Sequence, residues 1–354
     1  MRPVPRTRAG HVGAQELPEP YELSTPQKVS KPQRMSGAQA MMDGTESTGS
    51  GEETGVGLMA PLQDRLRTTF AGRADRVPEW ELALADGEDA GHFRPGSAVW
   101  AVHGSMATIP AGVRALLTQA LHPGALAGVV EHSDYRTDPL GRLAGTIRWI
   151  FTVTYGDTTA ARRASAHVRR LHESVHGSYT GADGVRRPYC ANDPDLAEWV
   201  HLAFTDAFLR CHQRWGGTIP GGPDAYVREW AVAGRLMGVA RPPRSEAELD
   251  ERLRSFGPRL AGGDRVEDVV AFLRRPPLDP VLLPGYRALF AAVVDSMPQD
   301  RLELLGLGRP RLGPVPLPTR SAAGLTLAVV GRALGETGPS EAAARRRLAR
   351  LGLL

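Results

Sequence analysis

The chain has few of the residues that mark several common classes of protein. Two of its 354 residues are cysteine, Cys190 and Cys211, and their spacing forms neither a CxxC motif nor a disulfide framework, which indicates a reducing compartment. No apolar run approaches the roughly 20 residues that a membrane-spanning helix needs, so no membrane span is predicted. The basic start, MRPVPRTRAG, has no apolar segment behind it, so we predict no signal peptide and expect a cytoplasmic protein.

Aromatic residues and excess charge are also scarce. Aromatic residues make up 6% of the chain, and the formal net charge is only +4. The basic residues are mostly scattered arginines and form no stripe interleaved with aromatic residues, which argues against a nucleic-acid partner. Apolar residues make up 42% and charged residues 23%, a balance typical of a globular protein with a sizeable core.

The pattern of apolar residues predicts a mainly α fold. Runs of β-branched residues are few, strands and helices do not alternate, and no repeat of fixed period is found. Residues 1–56 are rich in Pro, Gly, Ser, Thr and Gln, and we predict that they form a disordered tail. We expect one large helical domain over 57–310 and a C-terminal helical extension over 311–354. Within that extension, 325–334 and 342–354 are candidate surfaces for a homo-oligomer.

Helix start and stop signals divide the central region into elements. An Asp-Pro pair is typical of a helix start, and a glycine is typical just beyond a helix end. The predicted elements are a strand at 96–102 and helices at 112–121, 125–130, 138–156, 158–177 and from 193 onward. In this scheme Asp138 caps one helix, Thr158 or Thr159 caps the next, and Gly177 follows its end.

Arg142, Thr146, His172 and His176 are the central candidates for a functional site. Arg142 and Thr146 are four residues apart, so on a helix they share one face. His172 and His176 have the same spacing, which would direct two imidazoles the same way on a second helix. An arginine with several histidines in one region predicts a site for a metal or for a cofactor that contains a metal.

Zinc is one candidate metal. Residues 172–176 match HExxH, the pattern in which two helical histidines bind Zn²⁺ and the glutamate, here Glu173, acts as general base. Such a site would make the protein a hydrolase, because zinc lowers the pKa of a bound water. The third ligand is less clear, since Tyr179 and Ala182 stand where a metzincin has glycine and histidine. Glu198 is a possible downstream ligand.

Haem is the other candidate. His172 is a candidate axial ligand of a haem iron, and Arg142 supplies a cation for the propionates or for bound oxygen. No CxxCH motif is present, which excludes covalent attachment and leaves haem b. The apolar side chains predicted to line the pocket are Trp149, Phe151, Trp199 and Phe204.

Structural roles are alternatives for the same residues. His122 stands at a predicted helix end, where an imidazole can cap the C-terminus, and a purely structural role in the core is the alternative for His201. Arg142 is within reach of Asp138 one helical turn away, and Thr146 is placed to bond to a main-chain carbonyl. Spacing alone leaves these alternatives open.

Several motifs in a fixed order resemble those of one protein family. They are Leu121-His122-Pro123, Ala127-Gly128-Val129, Asp138-Pro139-Leu140-Gly141-Arg142-Leu143 with Thr146, Tyr155-Gly156, His172 with Val175 and Gly177, Tyr189 with Asp193-Pro194, Trp199-Val200-His201, and Phe272-Leu273-Arg274 with Pro276-Pro277. Together they cover roughly 96–305 and resemble the catalytic domain of the rubber oxygenase (latex-clearing protein) and MpaB-type oxygenase family.

The resemblance implies an all-α fold that encloses a b-type haem. By position, His172 matches the family's axial histidine, and His176 takes that place if the alignment shifts by one helical turn. Arg142 and Thr146 match the family's arginine and threonine near the distal face and the propionates. Two further family histidines, whose roles are not assigned, are matched by His122 and His201.

One departure from the family concerns the residue before Thr146. Rubber oxygenase has a lysine there that closes the distal iron position, whereas this chain has Gly145. Glycine has no side chain to ligate iron or to act as a base. The resemblance therefore implies an open distal site and a soluble, apolar small-molecule substrate inside the cell, with O₂ as co-substrate, rather than polyisoprene. The alternatives are a zinc hydrolase and a haem-binding protein without catalytic activity.

Overall fold

Helices account for most of the described chain, which confirms the predicted mainly α fold. The computed structural model describes residues 54–71, 76–132, 139–335 and 337–354, and these belong to one compact unit. The helices are α1 (Thr54–Ala71), α2 (Glu79–Leu82), α3 (Ala98–His103), α4 (Thr108–Ala120), α5 (Pro123–His132), α6 (Pro139–Tyr155), α7 (Thr158–Glu173), α8 (Pro194–Trp215), α9 (Gly222–Leu236), α10 (Glu246–Ser255), α11 (Asp264–Arg274), α12 (Leu283–Ser296), α13 (Gln299–Leu304), α14 (Thr319–Leu334) and α15 (Pro339–Arg350). The predicted tail, 1–56, lies outside the described residues except for 54–56, which belong to α1.

The centre of the fold is α8, which packs along α4 and also contacts α9 and α10. Its start at Pro194 is as predicted, with proline at the first helical position, where its missing N–H has no partner to lose. The α8 residues Trp199, Leu202 and Leu209 are fully buried, and Leu117 of α4 packs in the same cluster. Burying large apolar side chains along both helices supplies the main driving force for the fold.

The neighbouring helices α6 and α7 form an antiparallel pair joined by a tight turn. The start of α6 at Pro139 is as predicted, although its predicted cap, Asp138, lies outside the described residues. The cap of α7 is Asp157 rather than Thr158 or Thr159, because the Asp157 carboxylate accepts a hydrogen bond from the Ala160 N–H at 2.6 Å. The Thr158 hydroxyl instead donates to Asp89.

The end of α7 differs from the prediction. The helix stops at Glu173, with Ser174 as C-cap, and does not continue to Gly177. The chain then forms β1 (His176–Thr180) and β2 (Arg186–Cys190), an antiparallel hairpin in which His176 pairs with Cys190. Residues 181–185 form the loop that joins the two strands. Differences of one or two residues in where a helix ends are common. Here the helix ends several residues before the predicted position, and the chain continues as a strand.

The predicted strand at 96–102 is also wrong, because this segment contains the helix α3. Ser97 is its N-cap, and the Ser97 hydroxyl accepts a hydrogen bond from the Trp100 N–H at 3.3 Å. Gly96 has a φ of +83°, which reverses the chain direction just before the cap. A short apolar run does not distinguish a buried strand from a buried helix. Here the N-cap residue Ser97 favours the helix.

The C-terminal helices pack against the rest of the unit. After β3 (Arg311–Leu312) and β4 (Val315–Pro316), α14 contacts α12, and α15 contacts α2 and α6. The Arg347 side chain of α15 is almost completely buried and donates to the carbonyls of Leu84 at 2.5 Å and Tyr155 at 2.7 Å. The predicted domain boundary at 310 stays a prediction. Among the described residues, none of the helices combines the length and apolarity that a membrane span requires.

Candidate active site

Arg142 and His172 lie at the same end of the α6–α7 pair. Because the helices are antiparallel, the first turn of α6 is next to the last turn of α7. His172 continues the inward-facing stripe of α7, which consists of Ala161, Ser165 and Val168 at helical spacing. The ring of His172 is half-buried. This stripe has small side chains, so the imidazole is the largest group that α7 directs inward at this end.

The surroundings of His172 favour its neutral form. Burial lowers the pKa of His172, a hydrogen bond with Asn192 acts in the opposite direction, and the positive charge of Arg142 lowers the pKa further. The net shift is downward from 6.5, so the ring is neutral at pH 7. A neutral imidazole has a free lone pair, which is the form that ligates a metal. Arg142 therefore lies close enough to His172 for its charge to act on the imidazole, and the shared role of the two residues stays a prediction.

Thr146 lies one turn beyond Arg142 on α6 and is half-buried. Its hydroxyl donates to the Arg142 carbonyl at 3.3 Å, the main-chain bond that was one of its structural alternatives. Gly145 is exposed, and a Cβ added there would meet no atom within 4 Å. The chain therefore leaves open space beside Thr146, where a longer side chain at position 145 would otherwise extend.

His176 does not share a helix with His172. It is the first residue of β1, its side chain is exposed, and its main-chain carbonyl is hydrogen-bonded to the ring of His132 at 3.0 Å. The HExxH pattern places two histidines on one face only if the helix continues, and α7 ends at Glu173. Within the described ranges, His, Cys, Asp and Glu side chains form no group of three that could hold a metal ion.

His122 was expected to cap the C-terminus of a helix, but it caps the N-terminus of α5. It is the residue before α5, and its Nδ1 accepts hydrogen bonds from the N–H groups of Gly124 at 3.2 Å and Ala125 at 3.4 Å. Accepting at Nδ1 requires the proton to be on Nε2. Burial, assisted by the charge of Arg259, lowers the pKa of His122 to about 4. This geometry explains the histidine as a structural residue that starts α5.

His201 is buried in the middle of α8 and faces α9. A Cβ added to Gly234 would come within 2.9 Å of the His201 Nε2, so the glycine makes room for the ring. Burial, with the charges of Arg235 and Arg252, lowers the pKa of His201 to about 4. Its Nε2 has no hydrogen-bond partner among the described residues. No hydrogen bond joins His201 or His122 to His172 among the described residues, and the predicted role of these two histidines in cofactor binding stays a prediction.

Several motif residues meet in one packing interface between α5 and the β1–β2 hairpin. A Cβ on Gly128 would contact Tyr189 and Val175 at 3.5 Å, and a Cβ on Gly177 would lie 3.0 Å from Tyr189. The Tyr189 hydroxyl donates to Glu131 at 3.1 Å. These glycines are therefore explained by close approach of the hairpin to α5.

The sequence analysis missed two residues that fix the end of α7. The Asn192 side-chain amide donates to the Arg169 carbonyl at 2.9 Å, and the Cys190 thiol lies 3.7 Å from the His172 carbonyl. Asn192 also bonds to the His172 side chain. Cys190 is the last residue of the unpredicted hairpin and Asn192 follows it, so no helical spacing pointed to either residue.

The donor chemistry of this end fits a haem better than a zinc ion. It offers one neutral, half-buried imidazole with a guanidinium nearby, which suits a single axial ligand and anionic propionates. Two described surface cavities lie elsewhere. One is lined by Arg210, Gln213, Arg214, Ser296 and Arg320, and the other by residues of α1 and the 277–279 loop. Neither is lined by Arg142, Thr146 or His172.

Comparison with known proteins gives one match. The family model described as "ER-bound oxygenase mpaB/B′/Rubber oxygenase, catalytic domain" matches residues 100–347, which is more than half of the chain. The matched range contains every predicted site residue and extends past 305 into α15. Neither the curated proteins nor the solved structures yield a match.

Proposed function

Because the chain belongs to the mpaB/rubber oxygenase catalytic-domain family, we propose that it is a haem-b-dependent oxygenase that acts on an apolar small molecule with O₂. The family is one of oxygenases, and this supports the reaction class. The observation that carries the cofactor assignment is His172, a neutral, half-buried imidazole at the motif position and within electrostatic reach of Arg142.

His172 is the proposed axial ligand. When bound, haem supplies an iron that activates O₂, chemistry that the side chains lack. The low pKa of His172 keeps its lone pair available at neutral pH, and Asn192 fixes the ring through a hydrogen bond. The orientation of the ring is further constrained because Asn192 also holds the last turn of α7 through the Arg169 carbonyl.

Arg142 and Thr146 are the proposed catalytic and cofactor-binding partners. The guanidinium of Arg142 would offset a propionate charge or stabilise negative charge that develops on oxygen. Thr146 holds the main chain of Arg142 through its hydroxyl, which positions that turn of α6. Gly145 is exposed and a Cβ there would meet no described atom, so no side chain at this position covers Thr146.

The first test is haem content after expression with haem supplied. The wild-type protein is expected to show a Soret band with one iron per chain, and His172→Ala is expected to lose it. His176→Ala is the matched control, because His176 is the alternative ligand and its side chain is exposed. Loss of haem in His176→Ala with retention in His172→Ala would reassign the ligand. A colourless protein with stoichiometric zinc would overturn the haem assignment.

The second test separates an oxygenase from a haem-binding protein without activity. O₂ consumption is measured with apolar substrates, including isoprenoids. Arg142→Gln is expected to lower O₂ consumption by about 10²-fold while the Soret band remains, because the variant loses a charge near the reacting oxygen. Haem at full occupancy without O₂ consumption by the wild type would contradict the catalytic proposal.

A further inference from the structure

The outer face of α7 carries two pairs of adjacent arginines. Arg162 and Arg163 form the first pair, and Arg169 and Arg170 form the second, seven residues later. Seven residues are close to two helical turns, so the pairs lie on the same face about 10 Å apart along the axis. All four side chains are exposed. The opposite face of α7 is the inward stripe that ends at His172.

These four arginines have no ion-pair or side-chain hydrogen-bond partner among the described residues. The α7 sequence contains no acidic residue before Glu173, its last residue. Some exposed arginines elsewhere are paired with acidic residues, among them Arg65 with Asp279 at 2.5 Å and Arg187 with Asp183 at 2.6 Å. The outer face of α7 is therefore a cationic surface without internal counter-charges.

An exposed apolar residue lies next to this cationic surface. Leu171, directly after the second arginine pair, is 55% exposed although it belongs to a well-formed helix. The face has no Phe, Tyr or Trp side chain on which a nucleic-acid base could stack, and His167 is its one imidazole among the described residues. Clustered arginines beside an exposed aliphatic residue match the chemistry of an anionic bilayer surface, which offers phosphate groups above an apolar layer.

We propose that the outer face of α7, formed by Arg162, Arg163, Arg169, Arg170 and Leu171, binds anionic lipid surfaces. The arginines bind the phosphate groups, and Leu171 inserts among the acyl-chain ends nearest the surface. The attachment is peripheral and salt-sensitive, because it depends on charges that solvent ions screen. It rests on the surface of α7 alone and holds whether or not His172 binds a haem.

The test is co-sedimentation of the full-length protein with vesicles. One set is phosphatidylcholine alone, and the other contains phosphatidylglycerol in addition. We expect binding only to the second set, with loss of binding as salt is raised. The double variant Arg169→Gln/Arg170→Gln is expected to bind about 25-fold more weakly, at about fivefold for each arginine. Leu171→Ser is expected to give a smaller loss.

The matched control is Arg274→Gln/Arg275→Gln, which removes two adjacent exposed arginines at the end of α11 and changes the net charge equally. It is expected to bind as the wild type does. Equal losses in the two double variants would overturn the proposal, since binding would then reflect net charge alone. A DNA duplex that binds more tightly than the anionic vesicles, with no effect of Leu171→Ser, would instead identify a nucleic-acid surface and also overturn it.

Discussion

Two regions of the molecule differ in how their polar side chains are placed. One is the interior around α8, and the other is the α6–α7 pair. Around α8, Arg114 is bonded to Asp206 at 2.9 Å, with side chains only 5% and 9% exposed. His103 nearby has both ring nitrogens occupied, by the Thr154 hydroxyl at 2.8 Å and the Tyr226 hydroxyl at 3.1 Å. Pairing of this kind offsets the hydration that a buried polar group loses, and the His201 Nε2 of α8 is an exception, since it has no partner among the described residues.

The α6–α7 pair instead leaves its polar groups accessible. His172 is half-buried, the outer arginines of α7 are exposed, and Gly145 adjoins open space. From this contrast we predict a structural role for His103 and a functional role for His172. Both ring nitrogens of His103 are hydrogen-bonded. The neutral ring of His172 retains a lone pair and has the cation Arg142 nearby.

Removing the carboxylate of Asp206 should give the largest loss of stability. Burial alone would raise the pKa of Asp206, but Arg114 and Arg210 outweigh burial, and the pKa is lowered. Asp206→Ala leaves Arg114 buried without its partner, so we expect the free energy of unfolding to fall by about 3–5 kcal/mol. Urea denaturation measures this change.

The control for Asp206 is Asp183→Ala in the exposed Asp183–Arg187 pair of the hairpin loop. It should leave the denaturation midpoint almost unchanged, because solvent screens an exposed pair. Comparable losses in the two variants would show that burial does not distinguish the α8 interior from the surface.

Stability should decrease as the pH is lowered below 6.5, and His103 should account for part of this decrease. Burial, and to a lesser extent the charge of His212, lowers the pKa of His103 to about 3. Between pH 6.5 and 3 the unfolded chain therefore binds a proton that the folded chain does not. The contribution of His103 is fully present above pH 6.5 and is lost at up to about 1.4 kcal/mol per pH unit as the pH falls.

Denaturation at a series of pH values tests this linkage with His103→Gln, which should have a shallower pH dependence than the wild type. Val153→Ala, at a fully buried position of α6, is the control for general destabilisation and should keep the wild-type slope. A wild-type slope in His103→Gln would mean that other groups carry the effect, among them His122 and His201, whose pKa values are each lowered to about 4.

Two glycine-to-alanine variants should change stability in opposite directions. In Gly234→Ala the new Cβ would lie 2.9 Å from the His201 Nε2, so the ring must shift, and we expect a loss of about 1–2 kcal/mol. In Gly145→Ala the new methyl meets no atom, and alanine favours the helix, so we expect a gain of about 0.5–1 kcal/mol. Thermal denaturation compares both variants with the wild type, and a loss in Gly145→Ala would show that α6 is more closely covered than its surroundings indicate.

Much of the fold could be predicted because its helices begin with local signals. Pro139 and Pro194 begin α6 and α8 where the sequence indicated, since proline at a first helical position needs no partner. The end of α7 could not be predicted. Gly177 is a plausible residue beyond a helix end, but its reason lies in Tyr189, which approaches it from the second strand. Such a contact between distant residues leaves no local pattern.

Part of the candidate site was predictable because it depends on spacing within one helix. Arg142 and Thr146 share a turn of one helix, so spacing alone placed them together. The approach of Arg142 to His172 depends on the antiparallel turn at Asp157, which the capping signal indicated only to within two residues. His176 appeared equivalent to His172 in spacing, but the hairpin removed it from the helix. The role of Asn192 required tertiary structure.

The buried Arg347 of α15 has a consequence for the order in which the protein is made. Its guanidinium satisfies the Tyr155 carbonyl, 192 residues earlier in the chain, and also the carbonyls of Asp89 and Leu84. During synthesis on the ribosome, these three carbonyls cannot accept hydrogen bonds from Arg347 until α15 has been translated. The C-terminal end of α6 and the 3₁₀ turn at 83–85 therefore reach their final hydrogen bonding only after the preceding helices have been translated. A ribosome that stalls before α15 would leave these carbonyls without the Arg347 guanidinium.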